Sequence, residues 1–276
     1  LARYVRVRVR TALQKSRLPD LDYAVNPYVG CEHGCLYCYA PLYTRYREVA
    51  ENWGGIVYVK ENLIEVLAEE ARRARRGVVG VSTVTDPYQP VEAEERLTRR
   101  AVELLLGEGY HVSLQTKSSL LLRDMDLLAG SRGRVDVGVT ITTMRAEVAG
   151  LIEPGAPEPG ERLRVLEEAA RRGLDTWLFL GPIIPGVNDD EGQLGEVVEA
   201  AARTGSEVVY DFLRLKPGVA ERLSRAGVHG GRLAASRSRR WRAGVEAVLA
   251  RLCAAAGVEC SPAFPRRVGG ILDYLG

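Results

Sequence analysis

The sequence predicts an α/β fold in which a parallel sheet is covered by helices on both faces. Two patterns carry this expectation. Short apolar runs of strand type at 77–83, 110–116, 135–142, 176–181 and 207–215 alternate with helical runs at 62–75, 91–109, 120–130, 160–174 and 191–205. Strands buried on both faces read as nearly continuous apolar segments, and their alternation with helices signals parallel pairing through crossovers. Counting a further strand before the first helix gives six βα units, which fit an open partial barrel or a closed one with later additions. In either case ligands gather at the C-terminal ends of the strands. The third observation is the absence of a long linker: EPGAPEPG (153–160) is the most linker-like piece, but it is short and lies inside one unit. The chain therefore divides into a basic N-terminal arm (1–20), a core (21–216) and a helical C-terminal extension (217–276) packing on the core.

Taken in order, the arm alternates Val5, Val7 and Val9 with Arg6, Arg8 and Arg10. That period of two describes a short strand with one charged face, serving as a charge-guarded edge or a phosphate-binding arm. LDYAVNPYVG (21–30) gives an apolar strand and a turn at Asn26-Pro27, with Gly30 leading into Cys31. Gly30 and Gly34 supply the unusual backbone angles that a ligand-wrapping loop needs. The helix over 91–109 is stopped by Gly107 and Gly109, and the helix over 160–174 starts behind Pro159, where proline is tolerated. After the last strand the repeat ends, with a helix expected around 232–256 that contains RSRRWR.

The composition sets limits. The chain has 276 residues, is 46% hydrophobic and carries a formal net charge of +2, values of an ordinary globular protein. No apolar run reaches membrane-spanning length and no signal-peptide pattern opens the sequence, so no membrane association and a reduced, cytoplasmic setting are expected. Only Lys15, Lys60, Lys117 and Lys216 are lysines among 38 basic residues.

The chemistry-bearing stretch is CEHGCLYC (31–38), which places Cys31, Cys35 and Cys38 in eight residues of a chain with five cysteines. Three thiolates this close cannot all pair as disulfides, and their spacing favours wrapping one shared metal centre. Iron–sulfur clusters are held by cysteine thiolates, usually four, so three leave one iron open for chemistry. A Cys3His zinc site using His33 is the alternative, and with it a zinc-stabilised binding module instead of an enzyme. His33, however, sits between its would-be partners, and no second C-x2-C pair follows. Unliganded core cysteines are the third reading. The C-x3-C-x2-C spacing with Tyr37 before the last cysteine resembles the signature of the radical S-adenosylmethionine (SAM) superfamily. In that family the amino and carboxylate groups of SAM chelate the fourth iron, and an electron from the cluster splits SAM to methionine and a 5′-deoxyadenosyl radical.

SAM needs a cation for its carboxylate, hydroxyls for its ribose, and backbone groups with a flat wall for its adenine. Lys117, at the end of the third strand, offers a compact charge in a chain that otherwise uses arginine. Thr140 and Thr142 alternate on the fourth strand and present hydroxyls to one side. Thr83, Thr85 and Asp86 end the second strand, where Asp86 binds an ammonium group or caps the turn. GPIIPGVND (181–189) closes the fifth with a stiff, small-residue turn.

NPYVGCEHGCLYCYAP, TDPYQPVE, QTKS, VTITT followed by EPGAPEPGERL, and GPIIPGVND together resemble the spore photoproduct lyase-like branch of radical SAM proteins, from about Asp20 to about Asn188. The resemblance implies a partial (β/α)6 TIM-type barrel and a SAM-bound [4Fe–4S] cluster on Cys31, Cys35 and Cys38. It also implies an external one-electron reductant of flavodoxin or ferredoxin type. Lys117 would lie near the SAM carboxylate, Thr140 and Thr142 near the ribose or carboxylate, Tyr37 and Gly181-Pro182 near the adenine, and Thr85 and Asp86 near SAM or substrate. One departure matters: photoproduct lyases carry a hydrogen-donating cysteine just before the aspartate that matches Asp86, where this chain has Ser82, Thr83, Val84 and Thr85. The expected activity is hydrogen-atom abstraction from an unnamed substrate, with nucleic-acid repair or modification as the alternative, carried by Arg237, Arg239, Arg240, Trp241 and Arg242. Cys253 and Cys260 read as core cysteines, with a fold of either over the barrel mouth left open.

Overall fold

The computed structural model describes residues 2–228 and 230–264. In chain order its strands are β1 (Arg3–Val7), β2 (Gln14–Lys15), β3 (Tyr23–Val25), β4 (Tyr28–Val29), β5 (Ile56–Lys60), β6 (Val78–Val81), β7 (His111–Thr116), β8 (Val135–Thr140), β9 (Asp175–Ile183), β10 (Glu207–Phe212) and β11 (Cys260–Pro262). The helices are α1 (Arg47–Glu51), α2 (Leu63–Arg73), α3 (Glu92–Glu95), α4 (Leu97–Gly107), α5 (Met125–Ala129), α6 (Ala146–Ile152), α7 (Pro159–Arg171), α8 (Glu191–Thr204), α9 (Val219–Arg225), α10 (Gly230–Leu233) and α11 (Arg239–Ala256).

β3 and β6 to β10 lie side by side in chain order, and every neighbouring pair is parallel. β11 adds a parallel strand outside β10, and β2 an antiparallel one outside β3, so among the described residues the sheet ends at β11 and β2 and does not close. This is the expected partial (β/α)6 barrel. The strand residues sort by period two. Val79, Val81, Val112, Leu114, Val137, Val139, Leu178 and Leu180 are buried under the helices. The alternate positions, among them Gly80, Ser113, Gln115, Asp136, Thr140 and Trp177, face the lumen. The lumen face thus carries polar residues beside Trp177 and Phe179 where a doubly apolar strand was expected, because it borders a cavity rather than a second layer of side chains.

The arm forms the edge of a separate three-stranded sheet in the order β1-β5-β4. Arg3, Arg6 and Arg8 pair with Glu48, Glu95 and Glu61 at 2.6, 2.7 and 3.2 Å, so these charges guard an edge and are answered by carboxylates.

Three helices differ from expectation. The segment 91–109 is broken at Arg96, which takes a left-handed φ of 51°. The Glu92 carboxylate then accepts from Thr98 N and Arg99 N and caps α4. The segment 120–130 begins as a 3-10 turn over Ser119–Asp124. The segment 232–256 is interrupted at Ser238, whose hydroxyl caps α11 through Trp241 N at 3.3 Å. Trp241 packs edge-on against Phe212 and donates to Asp189, and Arg242 donates to the Ser236 carbonyl, so these two members of RSRRWR serve packing. Cys253 and Cys260 are not free core cysteines: a disulfide joins them, tying the end of α11 to β11. The remaining tail lies outside the described residues. No helix among those described is long and apolar enough to cross a membrane.

Candidate active site

The cysteine loop leaves the barrel after β3 and β4, at the C-terminal end of the parallel strands. Gly30 enters it at φ 94°, and a Cβ there would lie 2.4 Å from the Ile56 carbonyl, so both the angle and the approach require glycine. Two backbone hydrogen bonds clamp the loop to the segment after α6: Leu36 N to Ile152 O at 2.9 Å and Gly155 N to His33 O at 3.0 Å. Gly155 must also be small, since a Cβ would lie 2.4 Å from the Glu32 carbonyl. On the other flank Arg222 of α9 donates to the carbonyls of Leu36 and Cys38 at 2.9 and 2.5 Å.

Cys31, Cys35 and Cys38 are free thiols; the first two are buried and the third is half-buried. Burial raises all three, most plainly Cys31, where Asp86 and the other two thiols add to it. Cys35 is pushed up to about 12 by burial, against the opposing pull of Lys117. Buried thiols of this kind become thiolates when cationic metal replaces the proton, so the donor set fits an iron–sulfur cluster. Zinc fits less well. His33 Nδ1 faces Asp86 Oδ2 at 3.4 Å, and among the described residues no three His, Cys, Asp or Glu side chains converge as closely as one ion requires.

Asp86 is a hub. Its carboxylate accepts from the Thr116 hydroxyl at 2.6 Å, Lys117 N at 2.8 Å and Tyr88 N at 2.9 Å. Burial acts to raise its pKa, but His33 and these donors outweigh that and hold it at about 2. Thr85 donates to the Gly30 carbonyl at 2.6 Å and accepts from Gln89, bracing the entry to the cysteine loop.

Lys117 Nζ lies 5.7 Å from the centre of the Tyr37 ring and 4.0 Å from Glu153 Oε1. Burial alone would lower its pKa; Cys35 and Glu153 reverse that and raise it. Glu153 is fully buried, accepts from the Tyr37 hydroxyl and pairs with the buried Arg162 at 2.6 Å. Burial opposes its ionisation, and Arg162 and Lys117 overcome that, so its pKa is lowered. Arg162 also donates to the Pro157 and Thr140 carbonyls. Glu153, Arg162 and Arg222 were not singled out as site residues from sequence. The first two open and close EPGAPEPGER, so a signal for them existed; Arg222 lies beyond every motif.

A cavity of about 590 Å³ opens beside the loop. It is lined by the three cysteines, Tyr37, Thr85, Asp86, Lys117, Thr140, Gly181 and Pro182, so nearly all the anticipated residues meet in one place. Thr140 accepts from Gln115 at 3.0 Å. Thr142 does not join them: β8 ends at Thr140, and Thr142 lies past it, buried, its hydroxyl without a partner. Asn188 binds the Thr142 and Pro182 carbonyls and so joins the turns after β8 and β9.

The Radical SAM superfamily profile matches residues 25–201, from β3 into α8. The chain belongs to the radical SAM superfamily. Its members are enzymes that use a [4Fe–4S] cluster and SAM. An uncharacterized protein of Methanocaldococcus jannaschii is 31% identical over 212 residues, covering 77% of this chain and 78% of that one. One of Mycobacterium tuberculosis is 33% identical over 196 residues, covering 69% of this chain, which spans 58% of that relative. The fold is similar to a spore photoproduct lyase mutant with bound AdoMet and dinucleoside spore photoproduct, at a TM-score of 0.67 and 16% identity over 95% of this chain and 82% of that one. A radical SAM methyltransferase from Sphaerobacter thermophilus gives 0.56 at 19% identity, over 90% and 67%.

Proposed function

We propose that Cys31, Cys35 and Cys38 hold three irons of a [4Fe–4S] cluster, and that the adjoining cavity binds SAM and a substrate from which a hydrogen atom is abstracted. The observation that carries this is three free thiols, two buried and one half-buried, on a loop clamped from both flanks and opening onto the cavity that Lys117 also lines. When bound, the reduced cluster and SAM supply a 5′-deoxyadenosyl radical and methionine, the electron coming from an external one-electron donor. Lys117 would face the SAM carboxylate, with Glu153, itself held by Arg162, helping to keep the lysine charged and in place. The Thr140 hydroxyl serves the ribose or carboxylate, and Tyr37 with Gly181 and Pro182 walls the adenine. Asp86 and Thr85 spend their hydrogen bonds on the protein, so their part is to hold Lys117 and the cysteine loop in register. Trp177 and Phe179 pack edge-on and give the lumen an apolar surface against which a substrate can lie.

Anaerobic reconstitution with iron and sulfide tests this. A brown protein that forms 5′-deoxyadenosine from SAM under reduction is expected, and Cys35→Ala should lose both colour and cleavage. A colourless protein holding stoichiometric zinc would overturn it.

A further inference from the structure

Of the four lysines in the chain, two line this cavity, Lys117 and Lys216. Lys117 has Glu153 as its counter-charge. Lys216 has none among the described residues. Its nearest charged influence is Arg214, a like charge, and burial and that repulsion together lower its pKa. Arg214 lines the same wall, held by Asp211 at 3.2 Å, with its guanidinium 5.2 Å from the centre of the Phe264 ring. At the C-terminal end of β10 two cations therefore stand beside one carboxylate, itself raised by burial, while Asp136, Asp175 and Glu207 line the cavity from the starts of β8, β9 and β10.

The backbone holds Lys216 in place. β10 ends at Phe212, and the chain turns tightly, with Lys216 N bonded to Arg214 O at 2.9 Å and Val219 N to Lys216 O at 3.1 Å. Pro217 fixes the next φ, and Gly218 completes the turn at φ 78°. A half-buried cation with no counter-charge among the described residues is answered by water or by an anion, and a wall pre-formed around it favours the anion. The choice of lysine points the same way. In a chain where arginine is the default cation, the compact ammonium suits a point contact with an oxyanion in a confined space.

We propose that Lys216, beside Arg214, seats an oxyanion of the substrate, a carboxylate or phosphate, on the wall built by β10. The thiols and Lys117 stand on the walls that follow β3 and β7. The substrate class is then an anionic molecule held by its charged end at Lys216, with the rest of its body reaching into the lumen. This rests on the cavity being the reaction chamber, as proposed above.

The test titrates inorganic pyrophosphate and, separately, malonate into reconstituted enzyme with SAM bound, followed by calorimetry. Binding of at least one probe is expected, weakened about tenfold or more in Lys216→Gln, as losing a charged hydrogen bond implies, and unchanged in Lys15→Ala, an exposed residue of β2 that does not line the cavity. The preferred probe tells phosphate from carboxylate. Failure of both probes to bind, or equal binding by parent and Lys216→Gln, overturns the proposal. Formation of 5′-deoxyadenosine by the parent is measured alongside. Anion binding through Lys216 without SAM cleavage supports the anion seat but sinks the reading of the site, and with it the assignment of that anion to the substrate; cleavage without Lys216-dependent binding overturns the anion seat alone.

Discussion

Lys117 divides its charge between the protein and the cavity. At 4.0 Å Glu153 is a loose partner, and Arg162 at 2.6 Å holds that carboxylate far more closely, which leaves the lysine's field available to a ligand. Lys117→Ala should therefore weaken SAM binding by ~1.5–3 kcal/mol, the range for hydrogen bonds to charged groups, with iron and sulfide content unchanged. Equilibrium dialysis checks it, and equal affinity in mutant and parent would leave Lys117 as a partner of Glu153 alone. Glu153 itself answers the buried Arg162 and the half-buried Lys117. Glu153→Gln should cost about 3–5 kcal/mol in denaturant unfolding of the cluster-free protein, as removing one side of a buried pair does. A loss under about 1 kcal/mol, the worth of an exposed pair, would show that water reaches the network. The cysteines, Lys117 and Asp86 are legible in the sequence because their spacing or local composition marks them. The Tyr37–Glu153 contact, 116 residues apart, and the Arg222 contacts, about 185 apart, are products of tertiary folding that no local pattern encodes.

At the scale of elements, the βα alternation was readable because each strand brings a valine- or leucine-rich face to its helices. What escaped is equally physical. Arg96 breaks 91–109 without a glycine or proline to announce it, because Glu92 gains two backbone donors by starting α4 afresh. β5 draws its partners from β1 and β4, pairings remote in sequence. The disulfide depends on β11 adding to β10, which brings residues 253 and 260 together after α11 has ended. It closes a short loop, so Cys253→Ala should lower stability by about 2 kcal/mol on the chain-entropy estimate. Thermal unfolding with and without reductant checks this: the parent should fall toward the mutant when reduced, and a mutant unaffected by reductant is expected. Coincident parent curves in both conditions would mean that the tie contributes nothing.

The whole molecule joins a radical-generating site to a cavity with an unusual deficit. Among the described residues, which include all five cysteines, the only thiols lining that cavity are Cys31, Cys35 and Cys38, the proposed cluster ligands. Cys253 is buried in the core and, with Cys260, oxidised, so neither reaches the mouth as a free thiol. The end of β6, where the resemblance to photoproduct lyases implies a hydrogen-donating cysteine, presents Ser82, Thr83, Val84 and Thr85 to the cavity instead. An O–H bond is too strong to deliver its hydrogen to a carbon radical as a thiol does. A substrate radical formed here must rearrange, lose an electron or be quenched by a group from outside the chain. The fold is similar to that of the lyase, and we expect the final step to differ. We expect reduced, reconstituted enzyme to cleave SAM to 5′-deoxyadenosine yet fail to repair a dinucleoside spore photoproduct over repeated turnovers. Incubation with that dinucleoside, followed by chromatography of the thymidines, decides it. Multiple turnovers would refute the argument, and their disappearance in Cys260→Ala would show that the disulfide opens during catalysis and supplies the missing thiol.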